Sequence, residues 1–230
     1  MRGLYAIVDI DSLNARRLDP VAFTEAILKA APTAIQLRAK TLPSREALSL
    51  LRELAPMCHR AGIPLVANDR PDFAIFAGCD LAHVGQTDMP IDRVRRLAPG
   101  LGVGVSTHTL EQLDAALAAR PAYVAFGPVF ETSTKEHPDP VVGVAALRVA
   151  HARALAAGVP LVAIGGITRE RVRGLIGLAE AVAVVAGLLP PPVRSVPPPS
   201  MGDVLREVTR LAQAFQDAFA RPPAIAEGAR

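Results

Sequence analysis

Asp69 and Asp88 each stand just past a short apolar run. So do the cations Arg38, Lys40 and Lys135 and the hydroxyl-bearing residues Ser106, Thr132, Ser133 and Thr134. Two carboxylates suit Mg²⁺, a hard cation that takes one or two protein carboxylates and completes its shell with water and phosphate oxygens. Guanidinium and ammonium groups bring charge to a pyrophosphate, and hydroxyls donate hydrogen bonds to it. Gly165-Gly166 and Ala186-Gly187 offer backbone N–H groups, a second place for an anion. Each group also has a plainer reading. Ser/Thr-rich loops serve as turns, and Asp69 and Asp88 could cap helices opening at Pro71 and Pro90. Arg38 and Lys40 could be surface charges, and a Gly-Gly pair is an ordinary strand-to-helix turn. What favours the chemical reading is that so many of these residues fall at the ends of apolar runs.

The elements that must position them recur regularly. Apolar runs at 4–8, 34–37, 64–67, 81–84, 102–105, 123–126, 161–164 and 181–185 read as buried strands. Between them lie helical patterns. Asp19-Pro20 supplies a cap and a first-turn proline for a helix to residue 31. Leu48, Leu51, Leu54 and Ala55 give the helical period over 44–60. Further helices are expected over 109–119, 141–157 and 168–178, and a last one over 201–218 after an irregular Pro-rich piece at 190–199. Eight strands alternating with helices predict an α/β fold, a (β/α)8 barrel forming a single domain over 1–220, with 221–230 a flexible tail. A doubly wound open sheet usually has fewer strands, and no GxGxxG follows the first one here. In a closed barrel the carboxyl ends of all strands converge at one rim, which would gather the residues named above.

Composition narrows the partners. Half of the 230 residues are hydrophobic, 4% are aromatic and Trp is absent, so aliphatic side chains must fill the core. The net charge of +3 is mild. The basic clusters Arg93/Arg95/Arg96 and Arg169/Arg171/Arg173 fall on helix-like segments without stacking aromatics, which reads as solvated faces and excludes nucleic acid. Cys58 and Cys79 lack any metal-type spacing and read as reduced, buried thiols of a cytoplasmic protein. Asp9 and Asp11 interrupt the first apolar stretch, which argues against a signal peptide. No uncharged apolar run reaches the roughly 18 residues of a membrane helix. Aliphatic helix surfaces would permit a homodimer.

Six linked segments carry a resemblance: QLRAK (36–40), NDR (68–70), HVGQTD (83–88), GVSTHT (104–109), FGPVFETSTK (126–135) and AIGGIT (163–168). In order and spacing they resemble the motifs of the thiamine-phosphate synthase family. The resemblance implies a Mg²⁺-dependent transferase that joins 4-amino-2-methyl-5-pyrimidinylmethyl diphosphate to a thiazole phosphate, releasing pyrophosphate. Gln36, Leu37, Arg38, Ala39 and Lys40, with Asn68, Ser106 and Lys135, would hold the pyrimidine diphosphate, Gln36 facing the ring. Arg38, Lys40, Lys135 and Ser106 would serve the chemical step. Asp69 and Asp88 would bind Mg²⁺, and Thr132, Ser133, Thr134, Gly166, Val185 and Ala186 would hold the thiazole phosphate. Two positions depart from the family: Ala39 stands where an acidic residue is usual, and Ala186 where Ser is usual. The thiazole tautomerases are similar and use a histidine at the position of His108 as acid–base group, so tautomerase is one alternative. A non-catalytic barrel binding phosphate ligands is another. His83 reads as a hydrogen-bonded structural residue, and His59, His137 and His151 as surface residues.

Overall fold

In the computed structural model, described over residues 1–132, 139–190 and 199–220, the eight apolar runs close into a parallel barrel. The strands are β1 (Gly3–Asp9), β2 (Ala34–Arg38), β3 (Leu65–Asn68), β4 (Leu81–Val84), β5 (Gly102–Thr107), β6 (Tyr123–Phe126), β7 (Leu161–Ile164) and β8 (Ala181–Val184). Each pairs with the next in chain order, and β8 returns to β1 with Leu4 opposite Val182 and Ala6 opposite Val184. The helices are α1 (Ile10–Asn14), α2 (Pro20–Leu28), α3 (Ser44–Arg60), α4 (Pro71–Ala77), α5 (Ile91–Leu97), α6 (Leu110–Ala118), α7 (Gly143–Ala157), α8 (Arg169–Val172) and α9 (Met201–Ala220).

Alternation along the strands splits the core into two layers. Leu4, Ala6, Val8, Ile35 and Leu37 face the surrounding helices. Tyr5, Ile7, Val66, Tyr123 and Val162 fill the barrel interior. Gly104 on β5 makes room for Tyr123, since a Cβ there would lie 2.0 Å from the tyrosine ring. α9 seals the barrel's seam with its apolar face, where Val208, Ala212 and Phe215 are buried. Two hydrogen bonds tie it down: Thr209 Oγ1 donates to Ala26 O at 2.9 Å, and Gln216 Oε1 accepts the Leu4 N–H at 2.8 Å.

The sequence expectations differ from the structure at several element ends. The helix expected over 168–178 is one α-turn, α8, followed by a 3-10 turn at Arg173–Leu175. Gly174 and Gly177 explain the break: glycine costs about 1 kcal/mol in a helix, and Gly177 takes a φ of 80°. The helix expected to reach residue 31 stops at Leu28, and Ala31 adopts a φ of 47°. Helix α7 opens at Gly143 rather than at 141. β8 ends at Val184, because Val185 already turns into the 3-10 turn Ala186–Leu188. Helix α1 was not expected; Asp9 creates it by accepting the Ser12 N–H at 3.1 Å. The tail 221–230 and most of the Pro-rich piece, 191–198, lie outside the described residues. Among the described residues no helix is long and apolar enough to cross a membrane. Cys58 and Cys79 are buried and free, as expected.

Candidate active site

The carboxyl ends of the strands surround a cavity of about 670 Å³. Of the residues singled out in the sequence, Gln36, Arg38, Lys40, Asn68, Asp69, Asp88, Ser106, Thr132, Gly166, Val185 and Ala186 line it, and His108 joins them. Leu37 and Ala39 do not. Leu37 lies between barrel and helices and Ala39 packs against that layer, as strand alternation requires. Ser133, Thr134 and Lys135 lie outside the described residues, as does His137.

The β1–β4 side of the mouth is a set of opposed charges. Arg38, at the end of β2, donates through Nη1 to Asp9 Oδ1 at 2.5 Å. The Asp9 side chain is 1% exposed, and its other oxygen caps α1. One carboxylate thus fixes both a helix start and a guanidinium. Asp11 approaches the same Arg38 nitrogen at 3.8 Å, and Thr41 donates to Asp11, tying the β2–α3 loop to α1. Lys40 Nζ lies 3.2 Å from Asp69 Oδ2.

Asp69 and Asp88 do not cap the helices that follow them, since neither α4 nor α5 has a side-chain cap. Asp69 is in the left-handed region at φ 61°, held there by its N–H, which donates to His83 O at 2.8 Å. A non-glycine residue in that conformation costs about 1 kcal/mol, and aspartate is among the side chains that tolerate it. Burial raises the pKa of Asp69; Lys40 pulls it down and the nearby Asp88 carboxylate pushes it up. Asp88 accepts the Gly85 N–H at 2.7 Å, which fixes its carboxylate over the β4 loop. Two carboxylates pressed together in a half-buried position are suited to a divalent cation. Among the described residues no group of three or more His, Cys, Asp or Glu converges. That donor set fits Mg²⁺, which commonly takes two protein carboxylates and leaves the rest of its shell to phosphate and water.

Beneath these charges runs a buried chain of hydrogen bonds whose direction can be worked out. Tyr5 donates to Gln36 Oε1 at 2.6 Å. The Tyr5 oxygen therefore accepts from the Tyr123 hydroxyl, 2.7 Å away. Tyr123 in turn accepts from His83 Nδ1 at 2.8 Å, which leaves His83 Nε2 to accept from Ser106 Oγ at 2.8 Å. The assignment needs neutral groups throughout. Burial lowers the His83 pKa to about 4 and raises both tyrosines above their usual value. The chain fixes what the cavity offers: Ser106 Oγ has spent its proton and presents an acceptor. Gln36 Nε2, one proton bound to Asn68 Oδ1 at 2.9 Å, has a second donor. His83 is the structural histidine expected from the sequence. His59 is paired with Asp80 on the surface and His151, partly buried, with Glu180.

The β6–β8 side is mostly backbone. Gly166 at φ 62° packs so closely that a Cβ would come within 2.2 Å of Glu131 O. Val185, Ala186 and Gly187 line the facing edge. His108 Nδ1 lies 2.6 Å from Gly127 O and so carries its proton there, with Asp139 3.6 Å from Nε2.

One barrel fold can host many activities, so the match along the chain decides. The family model described as thiamine monophosphate synthase matches residues 4–188. The chain belongs to this family. The thiamine-phosphate synthase of Koribacter versatilis is 43% identical over 82% of this chain and 90% of its own length. That of Anaeromyxobacter dehalogenans is 40% identical over 80% and 78%. Among solved structures, the thiamine phosphate pyrophosphorylase from Pyrococcus furiosus superposes with a TM-score of 0.72 at 27% identity, covering 93% of this chain and 96% of that one.

Several residues that shape the mouth of this thiamine monophosphate synthase family member are not apparent in the sequence. Asp9 ends β1, and the rule that strand ends carry the site would have found it. Tyr5 and Tyr123 sit inside strands and gave only an apolar signal. Gln86, whose Nε2 donates to Ser106 O at 2.6 Å, lay inside a recognised motif without being singled out. Arg171 belongs to a basic cluster whose pattern predicts a solvated helix face, yet it lines the cavity.

Proposed function

We propose that the mouth of the barrel carries out the synthase reaction through dissociative loss of pyrophosphate. Family membership makes the chain a thiamine-phosphate synthase, a transferase of thiamine biosynthesis. The observation that carries the site reading is that one cavity combines Asp69, Asp88, Arg38 and Lys40 on one wall with Gly166 and Ala186 on the other. Mg²⁺ held by Asp69 and Asp88 would supply positive charge to the departing pyrophosphate.

The substrates are 4-amino-2-methyl-5-pyrimidinylmethyl diphosphate and a thiazole phosphate. Gln36 Nε2 donates to a ring nitrogen of the aminopyrimidine, and Ser106 Oγ accepts from its amino group, the polarity the buried chain imposes. The bond from the pyrimidine methylene to the diphosphate oxygen breaks, both electrons leaving with pyrophosphate. The ring and its amino group delocalise the resulting cation. Arg38, pre-oriented by Asp9, and Lys40 stabilise the charge that develops on the leaving group without reorganising. Lys135 is assigned to the same task. The thiazole phosphate is held by Thr132, Ser133, Thr134, Gly166, Val185 and Ala186, which aligns its ring nitrogen. The nitrogen lone pair then forms the new bond to the methylene carbon. No protein nucleophile is required. A tautomerase using His108 would leave Asp69, Asp88 and Lys135 without a task. A silent phosphate-binding barrel would be favoured by the loss of a rim carboxylate or cation, whereas Arg38, Lys40, Asp69 and Asp88 all stand at the mouth.

The test is to incubate purified protein with both substrates, with Mg²⁺ or with EDTA, and follow thiamine phosphate and pyrophosphate. Equal release of the two, abolished by EDTA, is expected. Absence of product in every condition would overturn the reading.

A further inference from the structure

We infer that Arg171 is a substrate-binding residue that grips the phosphate monoester of the thiazole substrate, adding a guanidinium to a wall that otherwise offers hydroxyl and backbone groups. The inference rests on the synthase reading of the mouth. Among the described residues three cations line the cavity: Arg38, Lys40 and Arg171. The first two sit against carboxylates, at 2.5 Å and 3.2 Å. Arg171 is held differently. Its Nη1 donates to the Gly166 carbonyl at 2.8 Å, and its guanidinium lies 4.8 Å from the centre of the Phe130 ring. A carbonyl and an aromatic face orient a guanidinium without pairing its charge. Glu170 beside it on α8 feels that charge, but no ion pair to Arg171 forms among the described residues.

The backbone around it is fixed as well. Thr168 Oγ1 accepts the Arg171 N–H at 3.4 Å, so the residue leaves α8 from a capped turn. Gly166 has no room for a side chain, because the β6 loop at Phe130 and Glu131 packs directly against it, so the carbonyl that holds Arg171 is itself held in place. A planar fork with donors to spare, set on the wall opposite Arg38 and Lys40, matches a phosphate dianion that must be kept apart from the pyrophosphate.

The experiment compares wild type with Arg171→Gln and Arg171→Lys by steady-state kinetics, after checking that the melting temperatures agree. KM for the thiazole phosphate should rise about tenfold or more in Arg171→Gln, the loss of one charge-assisted hydrogen bond. KM for the pyrimidine diphosphate should not change. Arg171→Lys, which keeps the charge but loses the fork, should fall between. The unphosphorylated thiazole alcohol should be used equally poorly by wild type and Arg171→Gln. Calorimetric titration with the thiazole phosphate alone provides a readout that needs no turnover, so the arginine contact remains testable even if the synthase reading fails. An unchanged KM and unchanged affinity in Arg171→Gln, or an equal penalty with the thiazole alcohol, would overturn the inference.

Discussion

On the β1–β4 side of the mouth, charge is set against charge: Arg38 on Asp9, Lys40 on Asp69, with Asp88 close by. On the β6–β8 side, Gly166 and the Val185–Gly187 edge present backbone, and Arg171 leans on a carbonyl and a ring. On the proposed reading, the contrast reflects what each wall has to do. A leaving pyrophosphate gains charge during the reaction, so groups fixed in advance by their own counter-charges stabilise it without rearranging. A phosphate anchor keeps the same charge throughout, and on that reading hydroxyls, closely approaching backbone and one arginine would hold it.

Perturbing each wall separately should separate these roles. The largest effect is expected at Asp69→Ala, where turnover should fall on the order of 10²–10³-fold. Titration with Mg²⁺ checks it: excess metal should not restore wild-type rates, and a variant with full activity in EDTA would remove the metal from this wall. On the opposite wall, Gly166→Ala forces a Cβ to 2.2 Å from Glu131 O at φ 62°. A stability loss of about 1–3 kcal/mol is expected from strain and overpacking, measured by urea unfolding. Saturation with thiazole phosphate should weaken while KM for the pyrimidine diphosphate holds. If both KM values rise together, the two walls are not independent.

Asp9→Asn keeps an acceptor for the Ser12 N–H but removes the charge facing Arg38. A loss of about 2 kcal/mol in stability is expected for one hydrogen bond between charged groups, with a fall in kcat as the guanidinium loses its orientation. Unchanged kcat would mean that Arg38 needs no positioning. A separate effect concerns pH. His83 has its pKa lowered from 6.5 to about 4 by burial. The unfolded chain therefore takes up a proton at a higher pH than the native one. Stability should fall as pH drops from about 6.5 towards 4, while above that window His83 contributes no pH dependence. His83→Gln should flatten this part of the pH–stability curve. A wild-type curve already flat between these limits would contradict the neutral, buried chain from Ser106 to Gln36.

Much of the barrel could be read from the sequence because strand and helix signals are local. The run 123–126 and the period over 44–60 coincide with β6 and α3 as formed. Ends were harder, as at 168–178, where two glycines outweigh a helical pattern. The rim residues were legible for a related reason: in a closed barrel, a polar residue just past an apolar run has one place to go. Asp9 obeys that rule, but its place at the end of an apolar stretch does not by itself show that it meets Arg38. Tyr5, Tyr123 and Arg171 were not legible. An inward tyrosine and a core tyrosine look alike in one dimension, and an arginine on a short helix looks solvated until the loop it bends over is known.

The sequence by itself determined the eight-strand rhythm, the aliphatic core and the chemistry available at the strand ends, since each depends on residue type and near neighbours. Tertiary structure alone decided which charges meet. Asp9 and Arg38 are 29 positions apart, and Tyr5 and Tyr123 are 118 apart. Their pairing follows from barrel closure and strand register. The depressed pKa of His83 and the direction of its hydrogen bonds arise from burial inside that closed barrel.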